Sequence, residues 1–98
     1  MQKNYKYEIF KINGKKFVVK LEKNPINNEF EYHMYLRHLV TPQEAIRAYF
    51  SKTREIYNLE YDRYELYSKK MDITVYYMYL KDKDIMLITA FYQGEWNE

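Results

Sequence analysis

The sequence predicts a small α+β domain with one twisted antiparallel β-sheet, in the order β-β-β-α-β-β-β, and one amphipathic helix packed on one face. Three observations predict it: an Asn-Gly turn between alternating segments, a capped helical stripe, and two C-terminal segments that are apolar on both faces. At 98 residues the chain has the length of one domain. We therefore expect residues 1–98 to form a single domain, with a frayed polar tail over about 93–98.

The N-terminal segments are expected to form a β-hairpin around Asn13-Gly14. Their apolar residues occupy odd positions on both sides of the turn. A three-residue loop pairs odd with odd positions and is therefore favoured over a two-residue loop. This register places Tyr7 beside Val19 on the core side and requires a positive φ at Gly14.

Apolar and polar residues alternate over residues 30–40, which predicts a long third strand. His33 and His38 are five residues apart and would point to opposite faces of that strand, so they could not share one metal ion. Glu31 shares a face with His33, as weak metal ligands might, but a solvated strand face is the simpler interpretation. For His38 we expect a hydrogen-bonded structural role.

Thr41, Pro42 and Glu44 predict the start of a helix. Thr41 can cap it, Pro42 suits its first position, and Glu44 completes a capping box. Apolar residues then recur at helical spacing, which predicts a helix over about 42–57. This stripe is expected to be the main contribution to the core, with Phe50 buried in it, so that Phe50→Ala would cost about 3–5 kcal/mol.

The remaining segments are β-rich, although residues 59–68 fit either a strand or a second helix. Residues 72–80 and 84–92 are joined by a charged turn and are apolar on both faces. Such strands lie in the centre of a sheet or meet another chain. Because one helix covers only one face, we expect a two-fold homodimer through this C-terminal hairpin.

The composition argues against an enzyme. The chain has no cysteine, two histidines and two glycines, so it lacks a thiolate nucleophile, a disulfide and a phosphate-cradling loop. Neither of the two serines, Ser51 and Ser68, lies in a nucleophile elbow. We expect no catalytic residues, no cofactor and no metal.

No apolar run approaches the roughly 18 residues of a membrane span, which favours a soluble cytoplasmic protein without a membrane partner. The chain is rich in Lys, Asn, Ile and Tyr and poor in Gly, Ala and Pro. AT-rich codons encode that set, so a low-GC bacterium, or a phage or mobile element of one, is the expected source.

Charge is distributed unevenly along the chain. Residues 1–24 carry seven lysines and two glutamates, a net charge of +5 within a total of +2. A basic hairpin can follow the phosphates of a nucleic acid, but terminal lysines also protect a sheet edge from pairing. The aromatics of the expected register face the other side, which weakens the nucleic-acid interpretation. The candidate residues for an anionic partner are Lys6, Lys11, Lys15, Lys16 and Lys20.

Tyrosine is the most unusual feature of the composition, at 13 of 98 residues. So small a domain cannot bury them all, and surface tyrosines are typical anchors of protein interfaces. The simpler alternative is that they populate a sheet, where their propensity is high. The candidate partner-binding residues are Tyr35, Tyr61, Tyr67, Tyr76, Tyr77 and Tyr79. We expect a non-enzymatic module that occludes a larger protein, such as a phage-encoded inhibitor of a host or defence complex; nucleic-acid binding is the alternative.

Overall fold

A seven-stranded sheet and two helices make up residues 4–93, the part of the chain that the computed structural model describes. In chain order, the elements are β1 (Tyr5–Ile12), β2 (Lys15–Lys23), β3 (Phe30–Tyr32), α1 (His33–His38), α2 (Pro42–Phe50), β4 (Arg54–Asn58), β5 (Arg63–Ser68), β6 (Ile73–Tyr79) and β7 (Ile85–Tyr92). The predicted α+β class is confirmed, with one helix and one strand more than expected. The predicted tail lies outside the described residues from position 94 onward.

The strands follow the spatial order β1-β2-β7-β6-β5-β4, and β3 also pairs with β2. All pairs are antiparallel except β2 with β7, which run parallel. The sheet is therefore mixed rather than purely antiparallel. β6 and β7 are central, as their two apolar faces predicted.

The N-terminal hairpin has a two-residue loop, and the predicted three-residue loop is wrong. Asn13 and Gly14 have φ values of 51° and 76°, the left-handed pair that a type I′ turn requires. Phe10 therefore pairs with Phe17, and Tyr7 pairs with Lys20 rather than with Val19. Only the positive φ of Gly14 is confirmed.

Gly14→Ala should lower the free energy of unfolding by about 1 kcal/mol, because a Cβ is disfavoured at this left-handed φ. A Cβ at Gly14 would meet no heavy atom within 4 Å, so backbone strain is the whole effect. Urea unfolding of the variant measures it. Asn13→Gly is the matched control and should leave stability almost unchanged; an equal loss in both variants would contradict this explanation.

The predicted third strand, residues 30–40, is mostly helical. β3 has three residues, and α1 follows it directly and ends at Leu39, whose φ is 60°. β2 pairs with β7 at residues 17–19 and with β3 at residues 21–23. α1 fits beside the point where β7 diverges from β2, with Met34 buried there.

The two histidines consequently lie at opposite ends of α1, not on opposite faces of a strand. His33 Nδ1 lies 2.7 Å from Glu22 Oε1. Glu31 is not its partner and instead accepts hydrogen bonds from two asparagine side chains. The ring of His38 packs against Phe91, 5.7 Å between centroids.

The predicted start of α2 is confirmed. The side chain of Thr41 accepts a hydrogen bond from the backbone of Glu44, whose carboxylate accepts one from the backbone of Thr41, and Pro42 is the first helical residue. The predicted end is wrong, because the helix stops at Phe50 and residues 54–58 form β4. Residues 59–62 are a turn, and β5 resolves the open alternative for 59–68 as a strand.

One face of the sheet packs against α2 and forms the core. Its residues come from β2, β5, β6 and β7 together with α2, and the largest fully buried side chains include Phe17, Ile46, Leu66, Ile73, Tyr77, Ile85 and Leu87. We call this the α2 face. Ile46 and Tyr49 of the predicted stripe are buried, but Phe50, which was expected to be buried with them, is 41% exposed.

The opposite side of the sheet is the open face, which α2 does not cover. Because paired residues share a face, the register places Tyr5, Tyr7, Lys20, Arg63, Tyr67 and Tyr76 on it.

Within residues 4–93, no helix is long and apolar enough to cross a membrane.

Candidate functional site

The open face contains a groove of about 470 Å³ between β4 and the end of β7. It is lined by side chains of four neighbouring strands and by one residue that follows β7. The residues that define this arginine–tyrosine groove are Arg54, Ile56, Glu65, Tyr67, Thr74, Tyr76, Phe91 and Gln93. Arg63 and Tyr61 form its rim, next to Tyr76.

The rim is held by an arginine between two aromatic rings. The guanidinium carbon of Arg63 lies 3.9 Å from the ring centroid of Tyr76 and 4.6 Å from that of Tyr61. Its Nε donates to Glu65 Oε2 at 2.9 Å. Glu65 also accepts from Asn58 Nδ2 at 3.0 Å. Stacking and a charge-assisted hydrogen bond therefore hold the side chains of the rim in place.

A second arginine–tyrosine stack lies across the groove. The guanidinium carbon of Arg54 lies 5.3 Å from the ring centroid of Tyr67. The hydroxyl of Tyr67 donates to Asp72 Oδ1 at 2.8 Å, and this hydrogen bond, with a smaller contribution from burial, raises the pKa of Tyr67 above its usual 10. The phenol thus remains neutral and oriented at physiological pH.

Tyr76 forms the floor of the groove. Its ring meets Phe91 edge to face at 5.2 Å between centroids. Burial raises the pKa of Tyr76 above 10, the charge of Glu65 raises it further, and Arg63 acts in the opposite direction. The floor is therefore an uncharged aromatic surface at neutral pH, beside the cationic side chains of Arg54 and Arg63.

The structure brings together three of the six tyrosines that the sequence singled out. Tyr67 and Tyr76 lie in the groove, and Tyr61, 62% exposed, lies at its rim. Tyr35 lies apart from them on α1. Tyr79 is exposed on the α2 face, and Tyr77 is buried there at 1% exposure.

Tyr77 therefore does not fit a surface role, since its ring lies in the core between Tyr49 and Tyr64. Tyr77 was a candidate partner-binding residue because Tyr76 and Tyr77 are neighbours in a strand and were not expected to face inward together. Val75 and Tyr77 turn out to be the inward pair of β6.

The lysines of the hairpin divide between the two faces. Lys11, Lys16 and Lys20 lie on the open face, whereas Lys6 and Lys15 share the side of Phe17. Sequence analysis had grouped Lys6 with Lys16 and Lys20. The shorter loop also brings Tyr5 and Tyr7 onto the face of Lys20, and Lys20 Nζ lies 5.2 Å from the ring centroid of Tyr5.

Sequence analysis missed the arginines and Ile56, which the groove requires. The sequence pattern predicts a helix over about 42–57, with Arg54 facing water and Ile56 on its apolar stripe. The alternation of Arg54, Ile56 and Asn58 with Glu55 and Tyr57 was a strand signal, but it was outweighed by the helical spacing of the apolar residues.

The described residues, 4 to 93, contain no group of three or more histidine, aspartate or glutamate side chains that could hold a metal ion. The groove has one carboxylate, that of Glu65, which accepts hydrogen bonds from both Arg63 and Asn58. Comparisons with models of protein families, with curated protein sequences and with solved structures found no match to this chain.

Proposed function

We propose that this protein is a non-enzymatic module that binds a larger protein through the arginine–tyrosine groove and acts by covering part of that protein's surface. The observation that carries this proposal is the groove itself, which combines Tyr67, Tyr76 and two stacked arginines on an open sheet face. Tyrosine and arginine are the residues most enriched at the centres of protein interfaces.

The fixed geometry of these side chains supports a binding role. Arg63 is clamped by two rings and Glu65, and Tyr67 is tied to Asp72. Ordering long side chains on binding costs roughly 0.5–1.5 kcal/mol each. A surface whose arginines are already ordered avoids much of that cost.

The non-enzymatic part of the proposal rests on the chemistry available in the groove. Its acidic residue, Glu65, is paired with Arg63, and the raised pKa values of Tyr67 and Tyr76 keep both phenols protonated at neutral pH, so that neither is available as a base. The composition of the chain favours a phage or mobile element of a low-GC bacterium as its source. We therefore propose a host or defence complex as the target.

Tyr67→Ala should weaken partner binding by at least about 30-fold, the loss expected of an interface anchor worth about 2 kcal/mol. Proteins captured from the native host on the immobilised wild-type chain supply the partner, whose affinity is then measured by calorimetry. The matched control is Tyr35→Ala, an equal truncation at an exposed tyrosine outside the groove. Equal affinities for the two variants would contradict the proposal, provided that both variants keep the wild-type circular dichroism spectrum.

Nucleic-acid binding is a second candidate because of one specific observation. On the open face of the hairpin, Tyr5 and Tyr7 lie beside Lys20, and Lys11 and Lys16 continue the same side. Exposed aromatic rings beside cations are the elements that bind single-stranded nucleic acids, by stacking on bases and by pairing with phosphates.

Salt dependence separates the two candidates. Three lysine–phosphate contacts predict a slope of about −2 for log K against log salt with a single-stranded oligonucleotide. A contact anchored by tyrosines predicts a much flatter dependence. Tyr7→Ala should weaken oligonucleotide binding and leave the affinity for a protein partner unchanged.

A further inference from the structure

The outer edge of β4 is an exposed, partly apolar sheet edge. β4 is the last strand in the spatial order, so among residues 4–93 no strand pairs with its outer side. Ile56 is 62% exposed and Leu59, just beyond the strand, is 85% exposed. Natural proteins usually protect such edges with charged side chains, proline or a bulge; β4 has charges at Arg54 and Glu55, but the stretch from Ile56 to Leu59 has none of these features.

We infer that two copies of this chain pair through their β4 strands, antiparallel, around a two-fold axis at Ile56. In this register Ile56 meets Ile56 of the second copy, and Glu55 lies opposite Tyr57 of the second copy. All opposed residues share a face, as a sheet requires. The same surface is buried on both chains, which is the self-complementary arrangement of a two-fold dimer.

The charges at the two ends of β4 favour this antiparallel pairing. Lys52 and Arg54 lie at its start, and Glu60 and Asp62 follow its end. An antiparallel copy brings each basic end against an acidic end, twice in the dimer. Parallel pairing would bring like charges together, which is destabilising. The edge is therefore complementary to a second copy of itself in one orientation.

The opposite sheet edge does not offer the same arrangement. β1 belongs to the segment 1–24, which carries a net charge of +5, so pairing two β1 edges would place two strongly basic hairpins side by side. The C-terminal hairpin, where the sequence predicted the dimer, lies in the centre of the sheet. Of the two neighbouring tyrosines that could form that contact, Tyr77 is buried and Tyr76 lines the groove.

Pairing through β4 would merge the two sheets into one. The open faces would become continuous, and the two arginine–tyrosine grooves would lie on the same side of the merged sheet, with β4 strands between them. This inference does not depend on the proposed function, because it rests on the edge of β4 and not on what the groove binds.

Sedimentation equilibrium tests the dimer. At about 100 μM the wild-type mass should be twice the 12.3 kDa of one chain. Ile56→Lys would set two lysines face to face on the axis and should return the mass to 12.3 kDa. The control is Ile9→Lys on β1, because Ile9 is 56% exposed on the other edge strand; this variant should remain dimeric.

Ile56→Cys gives an independent geometric test. Directly opposed residues of an antiparallel pair are close enough for a disulfide, and the chain has no other cysteine. Mild oxidation should cross-link Ile56→Cys into a covalent dimer and should form no covalent cross-link in Ile9→Cys. A wild-type chain that is monomeric at every concentration would overturn the inference. So would a dimer that survives Ile56→Lys but is lost in Tyr76→Asp, which would place the contact on the C-terminal hairpin.

Discussion

Phe17→Ala should destabilise the fold by about 3–5 kcal/mol, the range for removing a fully buried phenylalanine side chain. Phe17 is completely buried, and its ring meets those of Tyr49 and Phe50 edge to face at 5.3 and 5.7 Å between centroids. It joins β2 to α2, so its loss opens a cavity between the sheet and the helix. Domains of this size are stable by only about 5–15 kcal/mol in total. Urea unfolding followed by circular dichroism gives the difference.

Phe50→Ala is the matched comparison, because it removes the same side chain from the same cluster. Phe50 is 41% exposed, so its removal should cost only about 1–2 kcal/mol. The helical stripe in the sequence had predicted the larger effect for Phe50. Equal losses for the two variants would contradict the assignment of Phe17, rather than Phe50, as the main core contact.

Tyr77→Phe should lower the free energy of unfolding at pH 7 by about 1–3 kcal/mol, the value of a hydrogen bond to a charged group. The ring of Tyr77 is 1% exposed, and its hydroxyl donates to the carboxylate of Glu55. The phenyl ring of the variant still fills the core. The loss therefore measures the hydrogen bond and the carboxylate that is left without it, and Lys52 remains near that carboxylate.

The same variant should change the response of the protein to alkali. Burial raises the pKa of Tyr77 well above 10, and the hydrogen bond to Glu55 raises it further. A group with a raised pKa contributes stability that is fully present below its unfolded pKa, about 10, and is lost as the pH rises above it. The free energy of unfolding of the wild type should fall between about pH 9.5 and 11.5. Tyr77→Phe should show a smaller fall, with a remainder from Tyr49, whose pKa burial also raises. Identical slopes for both proteins would contradict this assignment.

Local signals in the sequence predicted the local features correctly. The capping box of Thr41 and Glu44 and the positive φ of Gly14 depend on a few neighbouring residues. The two apolar faces of β6 and β7 predicted their central place. Each of these features follows from the chemistry of one turn or one strand.

Features that depend on distant pairing were not predictable in this way. The apolar spacing of residues 46–57 continues past Phe50 in helical phase, yet the chain leaves the helix at Ser51. All five residues of β4 pair with β5. This pairing stabilises the strand, and the local sequence pattern does not reveal it. In the same way, α1 fits a gap that opens only where β7 diverges from β2.

The error in the hairpin register exchanged the two faces of β1. Tyr5, Tyr7 and Ile9 were assigned to the core because they alternate like a buried strand face. They lie instead on the open face of an edge strand, where they are 39–56% exposed. The rule that apolar alternation marks a buried face therefore fails on this edge strand. The arginines of the groove were not predicted because the sequence pattern predicts a helix where the structure has β4.

Site-specific photocross-linking tests most directly whether the arginine–tyrosine groove is the contact surface for a partner protein. Benzoylphenylalanine would replace Tyr67 in the groove or, as the control, Tyr35 on α1, in the native host. The expected result is a covalent adduct from position 67, with a protein other than a second copy of this chain, and little or no adduct from position 35. Equal adducts from both positions, or an adduct from position 35 alone, would contradict the assignment of the groove.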